Sequence, residues 1–395
     1  MNCPICESSV SEKLLSLNAG GFDDSKLYRN LDVLCCECGH VFNEITSAQY
    51  EDMFEYYRNE YSVNNVQSPN KSGDLPGSSN NGTNVRFDIL ANVISGFLSK
   101  DSDILDIGCA MGGFLKHLKS KGFERLYGVD VCDEYVRRAR LGDNIVIEEG
   151  TAERVPFEKK FDFILADQVL EHMLFPGRLF AEARRLLNPG AFLCISVPDA
   201  KRYLENHFFD FYWFLMREHI QHFDEPHLLS LAGRYGFVPR IVSSATTPML
   251  NNDVRIPILT IVFEMGLANP VVDLDLKAET IKYVSFCNDG LARSRKAFDG
   301  LPDEMVAFGA SRELFYLYQN TPLSRRLSMV IDDTPAKQKQ TINGIPVRPS
   351  GVLPSLKPES GLLITAFAHH RLLAKKALDL GYKGSICRIT WRDIL

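Results

Sequence analysis

The chain has 395 residues, which is more than one ordinary hydrophobic core accommodates and predicts two to three domains. Its 45% hydrophobic and 24% charged residues exclude wholesale disorder and collagen-like structure. With 50 acidic and 44 basic residues the formal net charge is −6, which disfavours nucleic acid as a partner, because proteins that bind phosphate backbones usually carry a basic surplus.

The sequence shows neither an apolar run of the ~18–20 residues that span a bilayer nor a secretory signal at its N-terminus. We therefore expect no membrane partner and a cytoplasmic location, where thiols stay reduced. The ten cysteines then need a role other than disulfides. Five are scattered and are interpreted as small buried hydrophobes, whereas five fall within the first 38 residues.

The N-terminal cysteines form two knuckles, each with two residues between its outer thiols. This spacing lets two thiolates on one tight turn reach the same ion, and two such turns close a tetrahedral site. The sequence therefore predicts a structural zinc site; chance clustering of reduced cysteines is the alternative. The predicted ligands are Cys3, Cys6, Cys35 and Cys38. Cys36 is a spare thiol, and His40 is a possible substitute ligand.

Behind the knuckles, residues 49–61 form an acidic, aromatic stretch that is compatible with a helix. Tyr57 and Tyr61 on this arm are candidates to present a phenol to a substrate, although packing of the arm on the main body explains them equally well. Residues 67–84 are rich in Ser, Asn, Gly and Pro and predict a flexible linker or an active-site lid. We assign residues 1–66 to the N-terminal module and its arm.

The central part of the chain alternates short apolar strands with amphipathic helices, which predicts a mostly parallel sheet covered by helices. The first strand runs into Gly108, followed by Gly112, where a ligand approaches the turn closely. Asp106 in that strand would face a cationic or amino-bearing ligand. Asp130 ends the second strand about 20 residues after Gly108, where a carboxylate accepts both hydroxyls of a ribose.

A candidate base lies on the loop before a helix that Asp224 opens as its N-cap. Imidazole has a pKa suited to proton removal near neutrality, so His219 is predicted to be the base, with Glu218 or another acid to orient it. The histidines interpreted as structural are His172, His222 and His227.

A second alternation of strands and helices begins near residue 305, after a predicted helix over residues 278–298. It indicates a smaller Rossmann-like unit with Gly309 at its first turn and Asp332 after its second strand. A lone glycine with an acid is only a weak indication of nucleotide binding, and the alternative is a domain that packs against the rest of the chain and binds no ligand. The predicted domain boundaries are 85–250 for the central domain and 251–395 for the C-terminal domain.

The motifs of the central domain resemble those of class I S-adenosylmethionine-dependent methyltransferases. The matching segments are 105–113, 128–130, 150–153, 161–172 and 186–190. The resemblance implies S-adenosylmethionine as cofactor, with its methionine moiety at the glycine turn, its ribose at Asp130 and its adenine beside residues 152–153. The implied cofactor-binding residues are Asp106, Gly108, Cys109, Gly112, Asp130, Ala152, Glu153, Asp167 and Gln168.

Almost the full length is similar to sugar C-methyltransferases that act on nucleotide-linked keto-sugars. The matching segments are both knuckles, 57–61, 218–219, 307–311 and 331–338. The resemblance implies an α/β fold in which a class I methyltransferase sheet lies between a zinc-binding module and a second Rossmann-like domain that binds substrate. It also implies that His219 removes the proton next to the ketone, leaving an enolate that attacks the methyl group.

Two alternatives stay open. The first is an O-methyltransferase, in which the acceptor atom is an oxygen of a sugar or of another small natural product. The second is a zinc-containing scaffold that binds a nucleotide sugar and catalyses nothing. In each case the expected partner is a small molecule, and the expected assembly is a monomer or a homodimer.

Overall fold

A computed structural model describes residues 2–61, 81–140, 145–205, 212–249, 254–267, 275–387 and 389. These residues form three sheets with helices around them. Most of the predicted linker, residues 67–80, lies outside the described residues, and its last four residues form the first turn of a helix. Across the described ranges, no helix has both the length and the apolar character that crossing a membrane requires.

The N-terminal module is a small antiparallel sheet followed by a helix. Its elements are β1 (Ser11–Asn18), β2 (Asn30–Cys36), β3 (Val41–Asn43) and α1 (Ser47–Asn59). Thr46 is the N-cap of α1 and forms a capping box with Gln49. The Thr46 side chain accepts a hydrogen bond from the Gln49 backbone N–H, and the Gln49 side chain accepts one from the Thr46 backbone N–H. The predicted helical arm is therefore α1. A fourth strand, β9 (Gln221–His222), comes from the central domain and pairs with β3.

The central sheet has seven strands in the order β10-β11-β8-β7-β4-β5-β6. Its elements are α2 (Asn81–Ile94), β4 (Ile104–Ile107), α3 (Gly113–Ser120), β5 (Leu126–Asp130), α4 (Asp133–Ala139), β6 (Val146–Glu149), β7 (Phe161–Asp167), α5 (Gly177–Leu186), β8 (Leu187–Pro198), α6 (Glu225–Arg234), β10 (Phe237–Met249) and β11 (Val254–Met265). Strands β4 to β8 are parallel, which confirms the predicted fold class. The strand order reverses between β4 and β7, the position at which such sheets open a ligand crevice.

Strand β11 corrects the predicted boundary between the second and third domains. It pairs with β10 on one side and with β8 on the other, so the central sheet extends to Met265. The predicted boundary after residue 250 is wrong, because it falls between two antiparallel partners. The apolar residues Leu259, Ile261 and Phe263 bury β11 in the central core, which explains why this segment does not begin a new domain.

The C-terminal domain contains the predicted second Rossmann-like unit. Its elements are α7 (Asp275–Ala297), β12 (Met305–Phe308), α8 (Arg312–Asn320), β13 (Leu327–Ile331), β14 (Thr341–Ile342), β15 (Ile345–Arg348), β16 (Gly361–Ile364), α9 (His370–Asp379) and β17 (Ile386–Cys387). The sheet order is β14-β15-β13-β12-β16-β17, with only β14 antiparallel to its neighbour.

The N-terminal module packs between the two larger domains. One hydrophobic core joins Leu17 and Met53 of the module to Leu314 of the C-terminal domain, and a second joins Phe42 to Phe161 of the central sheet. The module therefore shares both of its apolar faces with its neighbours. Burial on two sides holds the carboxyl ends of the central strands opposite the first turn of the C-terminal domain.

Candidate active site and metal centre

Four thiols converge beside the N-terminal sheet. They belong to Cys3, Cys6, Cys36 and Cys38, and all lie within 4.8 Å of one another. Cys3 Sγ is 3.7 Å from Cys38 Sγ, and Cys6 Sγ is 3.4 Å from Cys36 Sγ. Sulfur atoms about 3.8 Å apart are the edges of a tetrahedron with Zn–S bonds of ~2.3 Å, so this donor set fits a structural zinc ion.

The predicted ligand Cys35 is not in this cluster, and Cys36 stands in its place. Successive residues of β2 point to opposite faces, so Cys35 enters the hydrophobic core with Val33 while Cys36 faces the other knuckle. His40 is also outside the cluster, because its buried ring pairs with the Gln221 side chain at 3.0 Å. The spare thiol was therefore the fourth member of the set.

Helix α6 anchors the second knuckle to the central domain. His227 lies in the first turn of α6, with one ring nitrogen 2.5 Å from Asp224 Oδ1 and the other 3.0 Å from the carbonyl oxygen of Cys38. His227 thus connects the two domains, in keeping with the predicted structural role. His222 is also buried, between Tyr203 and Asn43, as predicted.

The turn after β4 has the close backbone approach that the glycines predict. Gly108 has φ +77°, and a Cβ there would overlap the Val169 side chain. Asp130 braces the turn from β5 by accepting the Ala110 N–H at 2.8 Å and the Cys132 N–H at 2.9 Å. The hydrogen bonds to Asp130 fix the conformation of the turn, and the turn presents backbone atoms to the crevice. This geometry fits the methionine moiety of S-adenosylmethionine.

A cavity of about 800 Å³ extends from this turn to the C-terminal domain. Five of the predicted cofactor residues line it: Asp106, Gly108, Cys109, Asp167 and Gln168. The other four do not: Gly112 lies in the turn after β4, Asp130 ends β5, and Ala152 and Glu153 follow β6. Glu153, expected beside an adenine, forms an ion pair with Arg178 at 2.6 Å.

The floor of the cavity carries three carboxylates around one guanidinium. Burial raises the pKa of Asp106 well above its ordinary value, and the nearby Asp167 adds to the effect. Asp167 is paired with Arg86 at 2.8 Å. Glu171 is 2% exposed, and within the described ranges neither oxygen of its carboxyl group has a hydrogen-bond partner. Burial raises its pKa to about 8. An unpaired acid at this depth fits a site that receives a cationic ligand.

Two histidine rings face each other above this floor. His219, the predicted base, has its Nδ1 atom 3.1 Å from the carbonyl oxygen of Phe214. A carbonyl only accepts, so Nδ1 carries the proton and Nε2 keeps its lone pair. Burial holds the pKa of His219 well below its ordinary value, and the nearby His172 lowers it further. At neutral pH the imidazole is therefore uncharged, the form that accepts a proton.

His172, interpreted from the sequence as structural, lines the cavity. Its ring lies 5.1 Å from that of His219, and its Nδ1 atom is 2.7 Å from the carbonyl oxygen of Glu218. The hydroxyl of Tyr57 lies 3.2 Å from the same nitrogen. The sequence signal was present in the Glu-His pair after β7, but only the folded loop shows that it faces the cavity. Arg86, Glu171 and Arg312 were missed for the same reason.

Glu218 does not orient His219 as predicted. Its buried carboxylate lies 3.4 Å from Arg217 and 3.6 Å from Arg312 of α8, and no hydrogen bond among the described residues joins it to His219. Burial alone would raise the pKa of Glu218, but the two arginines hold it below its ordinary value. The carboxylate therefore links the central domain to the C-terminal domain, while its backbone carbonyl holds His172.

The arm helix and the C-terminal domain complete the cavity wall. Tyr57 and Tyr61 line it, with ring centroids 5.3 Å apart. Burial raises the pKa of both tyrosines, so their hydroxyls stay protonated. Across the cavity, Asp332 accepts the Ala310 and Thr334 N–H groups, each at 2.9 Å, just as Asp130 braces the turn after β4. The turn after β4 and the turn after β12 are therefore built alike and face the same cavity.

Comparison with known proteins identifies the central domain. Residues 86–241 match the family model described as "Methyltransferase domain". The match lies within the central domain, where the sequence predicts methyltransferase motifs.

Individual relatives cover less of the chain. Over 104 residues it is 34% identical to an uncharacterized 37.1 kDa protein in a Streptomyces fradiae transposon, covering 24% of this chain and 30% of that protein. Over 109 residues it is 27% identical to norajmaline N-methyltransferase of Rauvolfia serpentina, covering 26% of this chain and 37% of that enzyme. The chain spans less than half the length of the curated relatives it matches. An S-adenosylmethionine-dependent methyltransferase structure from Mesorhizobium loti is 18% identical, with a TM-score of 0.35 over 44% of this chain and 95% of that one.

Proposed function

We propose that this chain transfers a methyl group from S-adenosylmethionine to a small molecule. The observation that carries this proposal is a single cavity that joins the glycine turn of a methyltransferase-type domain to a neutral, buried histidine. The donor would bind at the carboxyl edge of β4, β5 and β7, with its ribose at Asp130 and its methionine end over Gly108. When bound, it supplies an electrophilic methyl group.

The proposed acceptor is a carbon of a nucleotide-linked keto-sugar. His219 supports this choice, because Nε2 is unprotonated and the low pKa of the ring keeps it so at neutral pH. In the proposed step Nε2 takes the proton from the carbon beside the ketone, and the C–H electron pair becomes that of an enolate. The enolate carbon then forms a bond to the methyl carbon as the sulfur–methyl bond breaks, leaving a neutral sulfide.

The C-terminal domain supports a substrate with a second nucleotide-like part. Its first turn, with Gly309 at φ +112°, faces the cavity opposite the donor side, and Asp332 braces it from the next strand. Arg312 follows this turn and reaches Glu218 of the central domain. The proposed arrangement places the nucleotide against the C-terminal turn and the sugar near His219. Four cysteine thiols would hold a structural zinc ion outside the cavity.

Proton exchange and product analysis test the proposal together. We would incubate the full chain in D₂O with a panel of nucleoside-diphosphate 4-keto-6-deoxyhexoses, with and without S-adenosylmethionine. Wild-type protein is expected to introduce deuterium at one carbon beside the ketone and to form a C-methyl product, both seen by NMR. His219→Asn should abolish both, whereas His117→Asn, whose ring is not part of the cavity lining, should retain both.

The other outcomes separate the alternatives. A methyl ether as the product would favour the O-methyltransferase, for which the acceptor proton comes from a hydroxyl. Tight binding of S-adenosylhomocysteine and a nucleotide sugar without turnover would favour the non-catalytic scaffold. Continued deuterium incorporation by His219→Asn would contradict the assignment of His219 as the base.

A further inference from the structure

A tight turn from Met216 to His219, the His219 turn, carries the proposed base. The backbone N–H of His219 donates to the carbonyl oxygen of Met216 at 3.0 Å and closes the turn. Each of the four carbonyl oxygens in the turn also accepts a hydrogen bond from a side chain of a distant segment. Because the backbone is held at every carbonyl group, the His219 side chain starts from a fixed position.

Three of these four hydrogen bonds come from the N-terminal module. The side-chain amide of Asn43 donates to the Met216 carbonyl at 2.8 Å and to the His219 carbonyl at 2.7 Å. The hydroxyl of Tyr28 donates to the Arg217 carbonyl at 2.7 Å. The module that carries the thiol cluster therefore holds the turn that carries the proposed base.

Asn43 ends β3, and every polar atom of its side chain has a partner. Its Nδ2 atom has two hydrogens, and the two carbonyl groups of the turn accept both. Its Oδ1 atom accepts from His222 Nε2 at 3.2 Å. Asn43 is fully buried and lies outside the cavity lining that the described residues form. It therefore contacts the turn without reaching the space in which donor and acceptor would bind.

The direction of the His219 ring depends on the position of this turn. Nδ1 donates to the carbonyl oxygen of Phe214 at 3.1 Å, so Nε2 faces the cavity only while the turn and Phe214 keep their spacing. Strand β9 begins two residues after the turn and pairs with β3. The backbone N–H of Asn43 adds a bond to the Ile220 carbonyl at 2.8 Å. The N-terminal module thus fixes the turn and the chain that leaves it.

We propose that Asn43 is a positioning residue for His219. It holds the two ends of the His219 turn and keeps Nε2 directed at the carbon that loses its proton. This inference rests on the proposed function for the role of His219 as the base. It gives the N-terminal module a part in the reaction, because a displaced base loses the alignment that proton transfer requires.

Asn43→Asp tests the inference, because a carboxylate keeps the shape of the amide and lacks both N–H donors. Methyl-transfer kinetics and solvent-deuterium exchange would be compared with calorimetric titration of S-adenosylhomocysteine. We expect kcat and the exchange rate to fall by about 10- to 100-fold, the cost of a misplaced catalytic group. The affinity for S-adenosylhomocysteine should stay unchanged, because the donor would bind at the turn after β4. Asn43→Leu removes the same donors without burying a charge and should give the same result.

Asn188→Asp is the matched control. Asn188 Nδ2 donates to Asp162 Oδ1 at 2.7 Å near the start of β7 and β8, at the opposite edge of the sheet from the cavity. This variant should lower the urea midpoint and leave kcat unchanged, which separates lost stability from lost positioning. Tyr28→Phe removes one of the three bonds from the module, so its loss of kcat should be smaller than that of Asn43→Asp.

Heteronuclear NMR of the ring nitrogens reports the position of His219 without turnover. The wild type should show one neutral form with the proton on Nδ1, and Asn43→Asp a mixture of both neutral forms. Unchanged kcat, exchange and ring signals in the Asn43 variants would overturn the inference, as would an equal loss of kcat and of S-adenosylhomocysteine affinity. If the wild type shows neither methyl transfer nor exchange, the proposed function fails, whereas the ring signals still decide whether Asn43 positions His219.

Discussion

At the scale of single residues, the candidate site depends on which groups have partners. His172 and His219 each direct Nδ1 at a backbone carbonyl, which leaves both Nε2 atoms toward the cavity. Glu171 lies near them, with Oε1 3.8 Å from His172 Nε2, and among the described residues neither oxygen of its carboxyl group has a side-chain or backbone hydrogen bond of good geometry. Native proteins rarely leave a carboxylate buried and unpaired, and they tolerate the cost where a ligand later satisfies it.

Replacing Glu171 by Gln should therefore stabilise the free protein. The pKa of Glu171 is about 8 in the fold against an ordinary value of 4.5, so the folded chain keeps a proton that the unfolded chain loses between these pH values. Wild-type stability thus falls as pH rises from 4.5 to 8. Glu171→Gln lacks this loss, and its gain should grow to about 2–4 kcal/mol at pH 8.

Urea unfolding at pH 5 and pH 8 measures this effect. Glu182→Gln provides the comparison, because the Glu182 carboxylate accepts from the Val155 backbone and from Arg185. That variant should be less stable than the wild type at both pH values. A stability gain of Glu171→Gln that is equal at pH 5 and pH 8 would contradict the assigned burial of an unpaired carboxylate.

Gly108→Ala should damage the donor site more than glycine replacement elsewhere. A Cβ at φ +77° overlaps Val169, so the strain and the overlap should cost about 2–4 kcal/mol of folding free energy. Gly190→Ala has the same φ with nothing within 4 Å of its Cβ and should cost about 1 kcal/mol. Thermal unfolding and calorimetric binding of S-adenosylhomocysteine compare the two; equal behaviour of both variants would refute the close approach at Gly108.

At the scale of elements, the alternation of side chains along β2 decides the metal-ligand set. Two adjacent cysteines in a strand cannot face the same site, and here Cys35 joins the core while Cys36 joins the thiol cluster. Tyr57 of helix α1 likewise faces His172 rather than solvent, with its hydroxyl 3.2 Å from His172 Nδ1.

Cysteine replacement checks the proposed zinc ligands. Cys36→Ala should abolish stoichiometric zinc, because three thiolates leave the tetrahedral site open, whereas Cys35→Ala should keep one zinc per chain. Elemental analysis by mass spectrometry after dialysis gives the ratio directly. Retention of zinc by Cys36→Ala together with its loss from Cys35→Ala would reverse the assignment.

At the scale of the whole molecule, the cavity exists because three parts of the chain are held together. Asp23 of the N-terminal module accepts from the Thr341 hydroxyl at 2.6 Å and from the Asn343 and Gly344 N–H groups at 2.8 and 2.9 Å. These bonds attach the module to the β14–β15 turn of the C-terminal domain. Glu218 and Arg312 make a second connection between the domains, beside the proposed base.

Asp23→Asn should loosen the attachment of the module to the C-terminal domain. An amide in place of the charged carboxylate weakens three hydrogen bonds, so we expect a loss of about 1–2 kcal/mol in unfolding free energy. Faster hydrogen exchange of the Asn343 and Gly344 amides should accompany that loss. Asp24→Asn, at the exposed neighbouring position, should change neither quantity, and equal exchange rates in all three proteins would contradict the proposed attachment.

The alternating strands and helices determined much of this protein without its structure. Short apolar strands with turn glycines predicted both Rossmann-like units. Asp130 ends β5 and Asp332 directly follows β13, and each accepts an N–H group of the turn after the neighbouring strand. These features are local, because periodicity and turn chemistry act over a few residues. Local patterns also placed Cys3, Cys6 and Cys38 in one cluster.

Tertiary structure decided the features that depend on contacts between distant segments. Strand β11 joined the central sheet, because two strand neighbours buried its apolar residues there. The choice of Cys36 over Cys35 required the direction of β2 relative to the first knuckle. His172, Arg86 and Arg312 met the cavity only once α1, α2 and the C-terminal domain had packed around the central strands. Packing of segments far apart in sequence follows from the shared cores, and no short pattern encodes it.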